Sequence, residues 1–467
     1  MSNFRINLQQ TGWHCLTDER IAFIGARLID PQINLDAVQD IIIESGRIAH
    51  IGKFPANWQG ERIKAAGNII CPGFFDMHTH LREPGFEHKE SVLSGCLAAA
   101  AGGFTGVACM PNTDPAIDTP GIVQFIRQQA EGQPVEVHPV AAVTKGRKGE
   151  VLSEMVELAE CGVTAFSDDG SPVASAGLMR RAMEYAKMLK AVIIEHCEEP
   201  TLTANGVMHE GAFSTRLGLP GWPSVGEELA VQRNISLAGY TGGRLHIAHI
   251  STRAGAELVR RAKQEGMNIT AEVTPQHLTL TCEMLTGYDS DFKVNPPLRE
   301  TEDCEILLQA LADGVIDCIA TDHAPHTDDE KAVEFIRAPF GMLGLETALG
   351  VIYTKLVLSG KLSLTRFIDA MSVKPRQILN LPAATIAVGA PANLTIFDPN
   401  LKWTVDRNKM NSKSHNTPFH SWELTGRAVG VVNRGIVWMI KQALLCYPEQ
   451  SEVSRPLFQM SASLRSA

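Results

Sequence analysis

What this 467-residue sequence lacks narrows its class before any motif is read. Its ten cysteines are scattered singly with no C-x-x-C pair, so they read as reduced thiols, neither a disulfide framework nor a cysteine zinc site. It lacks an excess of positive charge. Lys and Arg number 42 against 52 Asp and Glu, a formal net charge of −10, which argues against a nucleic-acid or anionic-membrane partner. No uninterrupted apolar run approaches the roughly 20 residues that cross a bilayer. The opening MSNFRINLQQTGWHC lacks the basic, apolar and small-residue series of a secretory signal. No low-complexity segment interrupts the chain. A soluble cytoplasmic enzyme acting on a small molecule is expected, with one large domain and one smaller one.

What is present is a rhythm from Ile69 to about Pro325. Apolar strand-like runs (NIICPGFFDMH, FTGVACM, VEVHPVAAV, VTAFSDD, AVIIEHC, RLHIAHIS, NITAEVTP and DCIATDHAP) alternate with helix-period segments such as AGLMRRAMEYAKMLK and RAGAELVRRAKQEG. Near-continuous Val, Ile and Ala suit strands buried on both faces of a parallel sheet. Eight strand–helix units predict a (β/α)8 barrel rather than an open doubly wound sheet, and no G-x-G-x-x-G follows the first strand. Short strands separated by turn residues occupy both ends of the chain. They predict a composite β-sandwich from 18–66 and 386–442, a barrel over 67–385, and a polar tail over 443–467.

In such a barrel, chemistry sits where strands end. Strand one ends in His78 and His80, strand four in Asp168 and Asp169, strand five in His196, strand six in His249 and strand eight in Asp322. Spacing by two places His78 and His80 on one strand face. Taken singly, His196 or His249 reads as an ordinary core histidine, and Asp169 as a helix cap in SDDGS. Their shared position at one barrel mouth predicts a metal centre of the zinc type. Four histidines, a bridging carboxylate and Asp322 suffice for two cations around one hydroxide, the chemistry of amide hydrolysis or its reverse. Cys197, His246, His277 and His323 are expected to be structural or to support the ligands.

These motifs resemble the amidohydrolase superfamily, and within it the dihydroorotases. DMHTHLREPG and ATDHAPHT match the two signatures, and MPNT, VNPPLR and APFGMLGLE follow in the expected order. The resemblance implies a metal-dependent barrel with a β-sandwich, and two Zn²⁺ bridged by Asp169 and hydroxide. His78 and His80 match the ligands of one metal, His196 and His249 those of the other, and Asp322 the catalytic acid and base. Arg82, Asn112 and His326 match contacts to the substrate carboxylate. His80 stands beside them, and Asn295, Phe340 and Gly341 match contacts to the ring amides. CGVTAFSDDG holds no lysine where allantoinases and dihydropyrimidinases carry a carboxylated one, which favours the aspartate-bridged dihydroorotases over those rivals. A catalytically dead partner of aspartate transcarbamoylase is disfavoured because every ligand is present. Association with that enzyme and a homodimer are both compatible with the motifs. The segment APHTDDEKAVEFIRAPFGMLG resembles the loop that closes over the site.

Overall fold

The computed structural model describes residues 13–16, 19–55 and 57–440. Eight parallel strands form its centre: Phe74–Thr79, Phe104–Cys109, Glu136–Pro139, Ala165–Phe166, Val192–Glu195, Arg244–Ile247, Ile269–Val273 and Cys318–Ile319. They pair in chain order, with an Ala141–Phe166 bridge joining the third to the fourth. A parallel bridge between Thr79 and His323 closes the eighth strand onto the first. The result is the expected barrel. Alternation along each strand sorts the side chains: Val192 and Ile194 face an inner cluster with Phe75, Met77 and Cys318, while Ile193 faces the outer helices.

The helices form where the sequence signals them. Ala176–Met188 begins at Ser175, whose hydroxyl accepts from the Leu178 amide, and Val225–Thr241 ends at Gly242, whose φ of 68° suits a glycine cap. Each lays buried side chains such as Met179, Met183, Val231 and Ile235 against the strands.

The two ends of the chain meet in one sheet of nine strands. Its order runs Trp13–Leu16, Ile436–Ile440, Glu423–Asn433, Leu394–Thr404, Ile69–Pro72, Arg20–Asp30, Leu35–Glu44, Arg47–Gly52, with Glu61–Lys64 also paired to Arg20–Asp30. A bulge at Gly25 (φ 74°) lets residues 21–24 pair with 61–64 and residues 27–28 with 69–70. Phe23, Leu28, Ile41, Ile70, Leu394 and Val432 share its separate apolar core.

The stretch NIICPGFFDMH, expected as one strand, is two. Ile69–Pro72 pairs with the terminal sheet and Phe74–Thr79 with the barrel. Gly73 lies between them, where a Cβ would stand 2.0 Å from Asn393 Oδ1 and 2.2 Å from Thr105 Oγ1. Only glycine permits that seam. The tail over 443–467 lies outside the described residues. Among the described residues, no helix is long and apolar enough to cross a membrane.

Candidate active site and metal centre

The strand ends bring the predicted residues to one mouth of the barrel. Asp169 stands at the centre with one oxygen toward each histidine pair. Its Oδ2 lies 3.3 Å from His78 Nε2 and 3.5 Å from His80 Nε2. Its Oδ1 lies 3.5 Å from His249 Nε2 and 3.9 Å from His196 Nδ1. Asp322 completes the set, with Oδ1 2.9 Å from His80 Nε2 and 3.6 Å from His78 Nε2. Burial alone would push both carboxyls up, but the surrounding histidines outweigh it and hold them below the ordinary carboxylate range. Both are therefore anionic at neutral pH.

The donor set suits a metal. His78 Nε2 and Asp169 Oδ1 are buried without hydrogen-bond partners among the described residues, and both face the space between the histidine pairs. Two overlapping groups of three, His78–His80–Asp322 and His78–Asp169–His249, each have ligand atoms within 4.8 Å of one another. Imidazole and carboxylate donors converging in this way are able to hold divalent cations.

Unusual backbone aims several of these groups. Arg82, His249 and Asp322 have φ of 64°, 31° and 51°, a region non-glycine residues seldom adopt. Along strand one, a bulge between Asp76 and Thr79 inserts an extra residue opposite the neighbouring strand. Met77 can therefore join the inner apolar cluster while His78 still turns inward to Glu272.

A cavity of about 360 Å³ opens above the histidines. It is lined by His80, Arg82, Asn112, Asn295, His326, Phe340 and Gly341, as the motifs imply, and by Asp169, His196, His249 and Asp322. Arg82 is buried; it donates from Nε to Pro325 O at 3.1 Å, and its Nη2 lies 3.3 Å from His326 Nε2. No carboxylate of the described residues pairs with it, so its fork is available to a ligand. Burial pulls the guanidinium down to about 10, which leaves it charged at neutral pH. Burial and then the charge of Arg82 push His326 below the ordinary histidine range, so its ring is neutral.

Asn112 also makes a contact the motifs do not imply. Its Oδ1 lies 2.8 Å from His80 Nδ1, which fixes the ring so that Nε2 faces Asp169 and Asp322. The REPG turn and the PNTDP loop bring Arg82 and Asn112 together. The Asp114 amide donates to Pro84 O at 3.0 Å, and a Cβ on Gly85 would stand 2.2 Å from Asp114 O.

Comparison with known proteins bears on this site. Residues 67–255 match the family model described as dihydro-orotase-like. A dihydroorotase of Pelotomaculum thermopropionicum is 48% identical over 415 residues, covering 89% of this chain and 97% of that protein. One from Caldanaerobacter subterraneus subsp. tengcongensis is 50% identical over 388 residues, covering 83% and 90%. The chain belongs to the dihydroorotase family. The L-hydantoinase (dihydropyrimidinase) of Arthrobacter aurescens has a similar structure, with a TM-score of 0.80, 26% identity and coverage of 89% and 95%. It places this dihydroorotase-family barrel among the cyclic amidohydrolases.

Two carboxylates of the site were missed in the sequence. Glu272, within the strand Ile269–Val273, lies 2.6 Å from His78 Nδ1 and 3.1 Å from His246 Nε2. An ionisable residue inside an apolar strand was the available signal. Glu198 Oε2 lies 2.8 Å from His196 Nε2 and accepts from Asn295 Nδ2 at 3.1 Å. Nothing in HCEEP separates it from Glu199 beside it, which caps the next helix.

His246 bonds Thr270 and Glu272, and His277 lies between Thr274 Oγ1 and Pro296 O. His323 accepts from the Gly344 amide, and Cys197 Sγ from Asn234. All four are buried in such local contacts.

The segment 324–344 lies over the cavity. His326 Nε2 lies 2.9 Å from Phe340 O, and Lys331 donates to Ser290 O and Pro339 O at 2.8 and 2.9 Å. Gly341 has φ 133°, and a Cβ there would stand 2.7 Å from Ala324 Cβ. These contacts seat Phe340 and Gly341 against the site.

Proposed function

We propose that the chain catalyses the reversible cyclisation of N-carbamoyl-L-aspartate to L-dihydroorotate, the dihydroorotase step of pyrimidine synthesis. The observation that carries this reading is the juxtaposition in one cavity of Asp169 between two histidine pairs with an unpaired, buried Arg82.

In this reading His78, His80, His196, His249, Asp169 and Asp322 would hold two Zn²⁺, the first pair of histidines serving one metal and the second the other. When bound, the metals supply Lewis acidity for the reacting carbonyl and lower the pKa of water. Arg82, with Asn112 and His326, holds the carboxylate that the substrate keeps throughout. Its planar fork matches that group bidentately and sets the ring's orientation. The Asn295 Oδ1, buried without a partner among the described residues, accepts from a ring N–H. The backbone at Phe340 and Gly341 lies over the ring.

In the hydrolytic direction water adds to the ring carbonyl, and Asp322 takes its proton and passes it to the departing amide nitrogen. In the biosynthetic direction Asp322 removes a proton from the carbamoyl nitrogen as it closes on the side-chain carboxylate and returns it to the departing oxygen, which leaves as water with one further proton taken up from solution. Asp322 is suited to this because it is ionised at neutral pH and held by His80 within the cavity lining.

Asp322→Asn tests the reading. Ultraviolet absorbance of L-dihydroorotate should change with metal-replete wild type. It should change about 10²–10⁴-fold more slowly with the variant at unchanged metal content. Turnover of dihydrouracil or allantoin in preference to dihydroorotate would replace this reading with that of a different cyclic amidohydrolase.

The same reading places the enzyme in the cytoplasm as a homodimer, with association with aspartate transcarbamoylase as an extension. Exposed Tyr185, Met188 and Tyr240, on the adjacent helices Ala176–Met188 and Val225–Thr241, offer apolar surface for self-association. Sedimentation of the full chain, alone and with that partner, tests both.

A further inference from the structure

Two buried lysines tie down the segment that lies over the catalytic cavity. Lys293 stands two residues before Asn295 and is 2% exposed; Lys331, within the segment, is 7% exposed. Lysine is seldom buried so far unless it is paired. Among the described residues no carboxylate pairs with either. Burial alone acts on Lys293, and Asp291, whose charge reaches Lys331, lies 2.9 Å from Arg407 instead. Burial, the largest influence on each amine, pulls both down to about 8, which leaves them charged at neutral pH.

Their donors go to backbone carbonyls, and the bonds cross between the same two stretches of chain. Lys293 Nζ donates to Phe335 O and Ile336 O at 2.8 and 2.9 Å. Lys331 Nζ returns to Ser290 O and also reaches Pro339 O. Ser290 Oγ donates to Lys331 O at 2.6 Å, and the Gly341 amide to Lys293 O at 2.8 Å. The Lys293 ammonium also stands 4.6 Å from the centre of the Phe340 ring. One residue thus touches the side chain of Phe340 and the backbone of Gly341, both of which line the catalytic cavity. Residues 332–341 form no helix or strand of their own, so these bonds set their course. An apolar side chain would fill either lysine position without desolvating a charge. What the ammonium adds is donors able to hold two carbonyls at once.

We propose that Lys293, assisted by Lys331, is a positioning residue of the reaction: it fixes Phe340 and Gly341 where they meet the substrate ring. The proposal rests on the dihydroorotase reading given above. An adjoining cavity of about 350 Å³ is lined by Lys293, Asn295 and Phe340 together. Without the ammonium, the Phe340 side chain therefore has space to leave the ring, and binding of the ring weakens.

Lys293→Met and Lys331→Met test it, with Lys293→Arg as the variant that keeps the charge and the donors. KM and kcat for L-dihydroorotate are measured on the metal-replete full chain. Trypsin cleavage after Arg337, an exposed residue of the tied segment, is followed by mass spectrometry. Lys293→Met should raise KM about tenfold or more and change kcat less than about threefold. It should also speed cleavage at Arg337 about tenfold, with metal content and urea midpoint close to wild type. Lys331→Met should move KM and cleavage in the same direction, and Lys293→Arg should stay within about threefold of wild type. A KM that both methionine variants leave unchanged overturns the proposal. So does a rise in KM that comes only with lost metal and a lowered urea midpoint, the mark of a merely structural role. Failure of the wild type to turn over dihydroorotate defeats the proposed reaction instead. Cleavage at Arg337 decides the tie in either case, and an unchanged rate in both methionine variants overturns it.

Discussion

His78 Nδ1 lies 2.6 Å from Glu272 Oε1, and both side chains are fully buried. The other oxygen of Glu272 meets His246, and its Oε1 also accepts from the His249 amide at 3.2 Å. One carboxylate thus holds the His78 ring from the first strand, the His249 amide from the sixth and the His246 ring. Burial opposes its charge, but the His78 charge and the hydrogen bonds to both histidines outweigh burial and keep it ionised.

Replacing Glu272 by Gln should therefore loosen the metal centre without removing a ligand. A loss of about 10–100-fold in metal affinity is expected, read by competition with a chromogenic chelator. Activity at saturating metal should recover much of the wild-type value. Unchanged affinity would mean that the His78–Glu272 contact does not tune the ligand.

Arg82 should act on binding more than on turnover. In the proposed reading Arg82→Met removes the fork that holds the retained carboxylate, so KM should rise in both directions and kcat/KM fall about 10²-fold. Arg82→Lys should recover little, because a point charge does not reproduce the planar pair of donors. Steady-state kinetics decide it, and a lysine variant close to wild type would refute bidentate recognition.

Cyclisation turns a dianion into a monoanion, so it consumes one proton for each water released. The ratio of dihydroorotate to N-carbamoyl-L-aspartate at equilibrium should fall about tenfold per unit rise in pH above the carboxylate range. Chromatography of mixtures approached from both sides measures it. A ratio independent of pH would contradict the proposed reaction.

At the barrel floor, burial alone would push Glu136 up. The hydrogen bond to His138 and the charges of Arg376 and His138 outweigh it and bring the carboxyl down to about 2. A folded value below the unfolded one, about 4.3, means stability present at neutral pH that is lost as pH falls from about 4 through about 2. Glu136→Gln should cost roughly 3 kcal/mol at pH 7 by this linkage, and less than half of that at pH 3. Urea midpoints of wild type and variant at the two pH values test the sign. A gap that widens on acidification would reverse it.

The strands of the barrel were legible because burial on both faces leaves an unmistakable run of Val, Ile and Ala between helix-period segments. The candidate site residues were legible because barrel chemistry gathers at strand ends, and His78, His80, Asp169, His196, His249 and Asp322 all lie there. The sequence by itself therefore determined the architecture and the kind of chemistry. It did not determine where strand one divides, since that depends on Asn393 and Thr105 crowding Gly73 from distant parts of the chain. Nor did it determine which way His78 and His80 point. Strict alternation from Phe75 and Met77, both in the inner cluster, would turn the histidines out of the barrel. The bulge between Asp76 and Thr79 turns them in. The supporting carboxylates Glu272 and Glu198 belong to the same class. Their partners lie on other strands or across the cavity, and only closure of the barrel brings an acceptor to each imidazole.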